Sequence, residues 1–377
     1  MYSRTACALT TLLAGLSAAP LAHAQQEDAS ALKWSDGKAS VTFYGTLDIG
    51  YVGRGGGNGL VPDNGTEHDI QSAAGSDGSR VGLKLAYALN DSVTLIGESE
   101  LGINYTGQHD YGSGGDTYWN RHTWLGATGK WGTLLAGKID GGRASVLKAF
   151  DPFQGRSVAA GGALQVVTSR AEEAVAYVTP SWKGLNATLA YTPNLNGVSN
   201  HDARSPVYAV ILAYKQGPLS LTWDHEEEWW NRVPGLTRLK VNVAAASYDF
   251  GPLKLWAYRD RTTVESPVSP ALGFYDDHTG YLFGVTVPMG EKGLWKASWN
   301  RRDSAAVDNV CSKWGIGYQH TLDKRTYLYA DYAHIRNDRN GTCTIAYSNE
   351  ATSADQGAGD AGGYGVNGVD FGLVFSF

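Results

Sequence analysis

The run Trp-Asp-His-Glu-Glu-Glu-Trp-Trp at 223–230 puts a histidine among four carboxylates. Such groups at close spacing can ligate a divalent ion. In an extended chain, however, successive side chains point to opposite faces. Asp224, Glu226 and Glu228 then share one face and His225 and Glu227 the other, so only half the set could meet. An acidic rim at the outer end of a strand fits better than a dedicated metal site. Covalent chemistry has still less support. There is no Gly-x-Ser-x-Gly elbow and no His-Glu-x-x-His helix, and scattered histidines and serines are expected by chance. The reading expects no metal, no cofactor and no enzymatic step.

Charges fixed on one face of a strand can do something else. In Ser-Arg-Val-Gly-Leu-Lys-Leu-Ala-Tyr-Ala-Leu (79–89), Val81, Leu83, Leu85, Tyr87 and Leu89 alternate with Arg80, Gly82, Lys84, Ala86 and Ala88. If the apolar face meets lipid, Arg80 and Lys84 must face water, because a basic side chain at mid-depth costs about 2–4 kcal/mol. Basic and acidic groups across a narrow wet gap select solutes by width and charge, with no bond made or broken.

The elements that would carry such charges recur along the chain. The same period-two template predicts strands at 40–53, 79–89, 92–104, 118–128, 131–139, 170–179, 184–192, 207–216, 218–228, 238–249, 252–262, 279–288, 293–301, 312–321, 325–336 and 364–377. Short turns such as 90–91 and 129–130 alternate with long polar loops at roughly 54–78, 105–117, 140–169, 193–206, 229–237, 263–278, 302–311 and 337–363. All short turns at one end and all long loops at the other is the layout of an all-β, 16-stranded antiparallel transmembrane β-barrel. An even strand count brings both termini to one end, where the first and last strands can pair and leave no open edge in lipid. An exported soluble sandwich of lectin type does not require that asymmetry. Tyr51, Tyr105, Trp119, Trp131, Trp182, Trp229, Trp230, Trp256, Trp295 and Trp299 fall near strand ends, as interfacial girdles do.

Composition agrees. Forty-eight glycines, 21 tyrosines and 12 tryptophans accompany two methionines and three cysteines, a profile of strands and turns. Residues 1–24 have Arg4, an apolar stretch and the ending Ala22-His23-Ala24, which reads as a secretory signal peptide. Without Arg4, 30 basic residues face 37 acidic ones, so nucleic acid is not an expected partner. The mature chain, 25–377, reads as a single barrel domain with a periplasmic lead at 25–39. It keeps Cys311 and Cys343. One disulfide and two unpaired thiols are both compatible with the sequence.

In order and spacing, six segments resemble the Gram-negative general porins, the trimeric 16-stranded proteobacterial type. They are Ser-Val-Thr-Phe-Tyr-Gly-Thr-Leu-Asp-Ile-Gly (40–50), Ser-Arg-Val-Gly-Leu-Lys-Leu (79–85), Gly-Glu-Ser-Glu-Leu-Gly-Ile-Asn (97–104), 120–138, 175–191 and Val-Asp-Phe-Gly-Leu-Val-Phe-Ser-Phe (369–377). The resemblance implies a water-filled outer-membrane channel for passive diffusion of ions and small hydrophilic solutes, built as a homotrimer among outer-membrane lipid and lipopolysaccharide. It implies that Phe377 is read by the barrel-assembly machinery. It also implies that the third long loop, 140–169, folds inward as the constriction. An outer-membrane barrel hydrolase is the competing function.

Matched position by position, Arg80, Arg121 and Arg170 correspond to the family's wall arginines, Glu100 to a wall carboxylate and Asp151 to a loop carboxylate. Lys84 joins them by alternation and Lys138 stands just before the loop. Thr46 departs from the lysine of enteric members. Each residue has a plainer reading: Arg143, Lys148 and Arg156 as solvated loop charges, Glu98 and Glu100 as structural partners of basic wall residues. Arg121 and His122 are adjacent, so one must face outward unless the strand begins after them. The basic excess of the proposed constriction suggests mild anion preference.

Overall fold

The computed structural model describes residues 32–57, 66–71, 78–103, 121–155, 157–161, 170–195, 205–229, 238–265, 271–272, 275–304, 308–345 and 365–377. The expected signal peptide, Tyr105, Trp119, Arg156 and Trp230 lie outside them.

Sixteen long strands form one antiparallel sheet. They are β1 Ala39–Gly55, β2 Arg80–Asn90, β3 Val93–Gly102, β4 Thr123–Gly129, β5 Gly132–Asp140, β6 Arg170–Val178, β7 Leu185–Thr192, β8 Val207–Gln216, β9 Leu219–Trp229, β10 Arg238–Asp249, β11 Lys254–Glu265, β12 His278–Met289, β13 Gly293–Ser304, β14 Asn309–Thr321, β15 Thr326–Arg339 and β16 Asn367–Ser376. Each pairs with the next, and β16 pairs back onto β1 from Thr46↔Ser376 to Gly55↔Asn367. The sheet is therefore a closed barrel, which excludes the open-edged soluble sandwich. Two short pieces extend the ladder of β1. Leu32–Ser35 pairs beside its short-turn end, and Thr66–Gln71, inside the first long loop, pairs beside its long-loop end.

Alternation sets the two faces. Along β1 the buried Tyr44, Thr46, Asp48, Val52 and Arg54 point inward, whereas Leu47 and Ile49 point out and stay exposed. The same holds for Leu125, 69% exposed, and Phe371, 53% exposed, on the outer wall. Inside-out burial of this kind is stable where the outer solvent is lipid. Trp256 breaks the expected girdle. It faces inward, buried, with Lys254 Nζ 3.7 Å from its ring centre.

The third long loop enters the barrel. Residues Gly142–Ala149 form a helix, α1, an element that a period-two pattern does not announce. Arg, Ala, Leu and Lys are good helix formers, and Asp151-Pro152 follows at once, where a proline disfavours helical geometry in its predecessor. Val146, Leu147 and Phe150 pack on Val241, Val243, Tyr258 and Leu282 of β10–β12, each large side chain contributing about 1.5–3 kcal/mol of burial. Arg143 is buried too. Its backbone N–H donates to Glu226 Oε1 at 2.9 Å and its guanidinium to Thr262 Oγ1 at 3.4 Å. It is thus not a solvated loop charge, and Asp224 and Glu226 lie under the helix rather than on an outer rim.

Farther along, the loop is held on the opposite strands. Val158 donates its N–H to Asp370 Oδ2 at 2.8 Å. Lys313 Nζ donates to the carbonyls of Val158, at 3.2 Å, and Ala160. Ser298 Oγ donates to Ala159 O at 3.2 Å. Gly315 supplies the room, since a Cβ there would collide with Ala159. Asp370 faces inward as alternation requires, but onto the loop rather than onto water. Cys311 on β14 and Cys343 beyond β15 form a disulfide across 32 residues, with Cα atoms 6.2 Å apart. Cys343, Ile345 and Val366 are buried with Val158, so the start of the last long loop also turns inward over the tip of the third.

Candidate functional site

With α1, residues 150–155 and residues 157–161 lining β10–β16 and β1, the wall of β2–β6 faces them across the interior. Register fixes its charges. Tyr44, Gly82 and Glu100 lie in one cross-strand row of β1, β2 and β3. Gly82 matters because a Cβ there would occupy the space of the Tyr44 ring. Across it, the Tyr44 hydroxyl donates to Glu98 Oε1 at 2.5 Å and lies 3.0 Å from Glu100 Oε2, and Lys84 Nζ sits 4.6 Å over the ring.

Glu100 is the hub of this wall. Arg80 Nε lies 3.1 Å from its Oε2, and Arg121 Nε donates to its Oε1. Buried acid groups keep such geometry only when paired and hydrogen-bonded. Glu98, Glu100 and His122 place ligand atoms close enough to hold a metal ion. With two guanidiniums on Glu100 and His122 turned to Asp140, the arrangement is an ion-pair network that disfavours a further cation.

β4 begins at Thr123, not at 118, which resolves the pair at 121–122. Neither residue is yet in the strand, so both turn inward. His122 Nε2 stands 2.7 Å from Asp140 Oδ1, and Arg170 Nε is 3.9 Å from the same oxygen. Lys138 pairs with Glu172 Oε1 at 2.5 Å along the irregular β5–β6 seam, at the edge of the cluster. Arg80, Lys84, Glu100, Arg121 and Arg170 are thus gathered on one wall. Tyr44, His122 and Asp140 belong with them; alternation along β1 points to Tyr44, and no period-two pattern points to the other two.

Asp151 does not line the gap. It is fully buried, and its carboxylate accepts the N–H groups of Phe153, Gly155 and Gly161 at 2.9, 3.1 and 2.7 Å. It organises the loop from within. The loop faces the wall through α1. The buried residues of that helix include Arg143, Val146 and Leu147, and Lys148 lies on its less buried side, where it acts electrostatically on Asp140.

A family model described as Gram-negative porin matches residues 8–340. The chain belongs to the Gram-negative porin family. Among similar proteins, outer membrane porin protein 32 of Delftia acidovorans is 25% identical over 321 residues, 80% of this chain and 85% of that one. An outer membrane porin protein of Bordetella pertussis is 25% identical over 368 residues, 85% and 94% of the two chains. Among solved structures, the anion-selective porin from Comamonas acidovorans superposes with a TM-score of 0.74 at 22% identity, over 90% of this chain and all of that one. The trimer form of OmpT, an outer membrane protein of Vibrio cholerae, does so at 0.64 and 16% identity, over 90% and 100%.

This porin is accordingly an outer-membrane barrel that forms a water-filled channel. A porin acts through its bore, and here the charged β2–β6 wall and the loop that faces it occupy that bore.

Proposed function

We propose that ions and small hydrophilic solutes diffuse passively through the gap between α1 and the β2–β6 wall, and that the gap favours anions. The observation that carries this is the charge balance. Arg80, Lys84, Arg121, Lys148 and Arg170 stand against Glu98, Glu100 and Asp140, the Lys138–Glu172 pair cancels, and Asp151 is withdrawn into its loop. A few near charges outweigh the net charge of distant loops, which salt screens. The similar fold of the anion-selective porin from Comamonas acidovorans agrees with this preference. Reversal potential across a planar bilayer in a potassium chloride gradient tests it. A cation-selective potential overturns the anion preference, and silence in every salt overturns the pore.

The same reading has three copies assembling in the outer membrane, since similar folds include a trimer form. It has a leader at 1–24 removed on export, lipopolysaccharide around the barrel, and Phe377 read by the assembly machinery. It includes no catalytic step, in keeping with relatives that are porins. Native mass spectrometry of the extracted protein tests the trimer.

A further inference from the structure

On five adjacent strands the outer wall changes character at one row. Trp223, Ala244, Arg259, Tyr281 and Arg301 are cross-strand neighbours on β9–β13. Two residues toward the short turns, the outward row is Leu221, Ala246, Ala257, Phe283 and Trp299. Two residues toward the long loops it is His225, Asn242, Arg261, Thr279 and Asp303. The apolar band therefore ends at Arg259, where lipid tails give way to headgroups. An outward arginine is least costly at that depth and most costly at the midplane.

Directly below Arg259 the wall is hollow. Ala244, Ala246 and Ala257 stand side by side and floor a groove of about 540 Å³, rimmed by Trp223 on one side and Phe283 and Tyr281 on the other. Its walls are apolar, and Arg259 lies at its polar edge with its guanidinium 5.9 Å from the Tyr281 ring centre. Among the described residues, Arg259 has no carboxylate partner. Its neighbours in the charged band do: Arg261 is 3.3 Å from Asp277, Arg301 3.2 Å from Asp303, and Arg238 2.8 Å from Glu265.

We propose that this groove holds an acyl chain of a phosphorylated glycolipid of the outer leaflet, with its phosphate on Arg259. A guanidinium matches phosphate oxygens in a bidentate fork. With the long loops outside, the row lies in the outer leaflet. The polar band runs on past Arg259 through Arg261 and Lys240 to Arg238, which suits a headgroup larger than one phosphodiester. The site lies outside the bore, so its occupancy is separable from ion preference and rests only on the barrel's place in the outer membrane.

The test is native mass spectrometry of the delipidated, detergent-extracted porin titrated with bisphosphorylated lipid A, with dephosphorylated lipid A and with phosphatidylglycerol. The expected result is one preferred bisphosphorylated lipid A per chain, weakened about tenfold by loss of its phosphates or by Arg259→Ala. Ala246→Trp, which fills the groove, should weaken it as much, with the oligomer and the single-channel conductance unchanged. Equal binding of phosphatidylglycerol, or undiminished binding of dephosphorylated lipid A, would overturn the proposal without any variant. So would wild-type binding by both variants, or an Ala246→Trp porin that loses its oligomer yet keeps the lipid, which would make the groove a contact between copies.

Discussion

Phe377 closes the barrel on Gly45. Its N–H donates to the Gly45 carbonyl at 3.0 Å, and the Gly45 N–H donates back to the main-chain oxygen of Phe377 at 2.8 Å. The Phe377 ring lies where a Gly45 side chain would be, 5.7 Å from the Phe43 ring. The last residue thus extends the β1–β16 ladder beyond the strand proper.

Deleting Phe377 leaves the Gly45 N–H and C=O unpaired beside lipid, at several kcal/mol each. The yield of heat-modifiable, membrane-inserted protein should fall severely, and Gly45→Val should do the same by displacing the ring. The fraction that does assemble should show wild-type reversal potential. Normal insertion of both variants would refute the closure argument.

Lys313 holds the third loop to the wall. Lys313→Met removes the donor to the carbonyls of Val158 and Ala160, and each buried acceptor left unmet costs about 1–3 kcal/mol. The loop tip should come away from β14, and single-channel recordings should show larger or noisier conductance. Gly315→Val should give the same phenotype by a different route, overlap with Ala159.

Arg80→Ala and Arg170→Ala should each shift the reversal potential toward cations. A unit charge about 8 Å from a passing ion acts with about 0.5–2 kcal/mol at effective dielectric constants of about 80 to 20, or about 2- to 30-fold in relative permeability. Glu100→Gln should shift it the other way, because Arg80 and Arg121 lose their shared counter-charge. Raising the salt concentration should shrink all three effects. If the single arginine variants left both potential and conductance untouched, ions would pass elsewhere.

The Cys311–Cys343 bond closes a 32-residue separation, worth about 3–4 kcal/mol on the chain-entropy account. Cys343→Ser, or reduction, should lower the temperature at which the assembled form unfolds. Because Cys343 and Ile345 pack with Val158, it should also increase current noise from the third loop. Thermal gel-shift and bilayer recordings report the two effects separately.

The barrel is legible in the amino-acid order alone. Period-two alternation in Val81-Gly82-Leu83-Lys84-Leu85, and in every other run, decides which face each residue takes, since the β geometry repeats every two residues whatever the surroundings. Sixteen strands, their order and the inward aim of Arg80, Lys84 and Glu100 follow from that local rule and from loop lengths. Where the local rule fails, so does the reading. His122 and Arg121 both turn inward because β4 starts late. Trp256 obeys alternation along β11 and so faces the loop, and its place near a strand end does not tell which face it takes.

Which groups meet is a matter of long-range packing. Asp151 and Asp370 are each an acid on a face that alternation sends inward or leaves on a loop, yet neither lines the gap. One is consumed by three N–H groups of its own loop and the other by Val158, 212 residues away. Lys148, in contrast, is left on the less buried side of a helix outside any period-two pattern. The partner of an inward charge depends on how the described part of the third loop lies in the bore, and that placement is set by packing of Val146, Leu147 and Val158 against strands more than 80 residues distant in the chain.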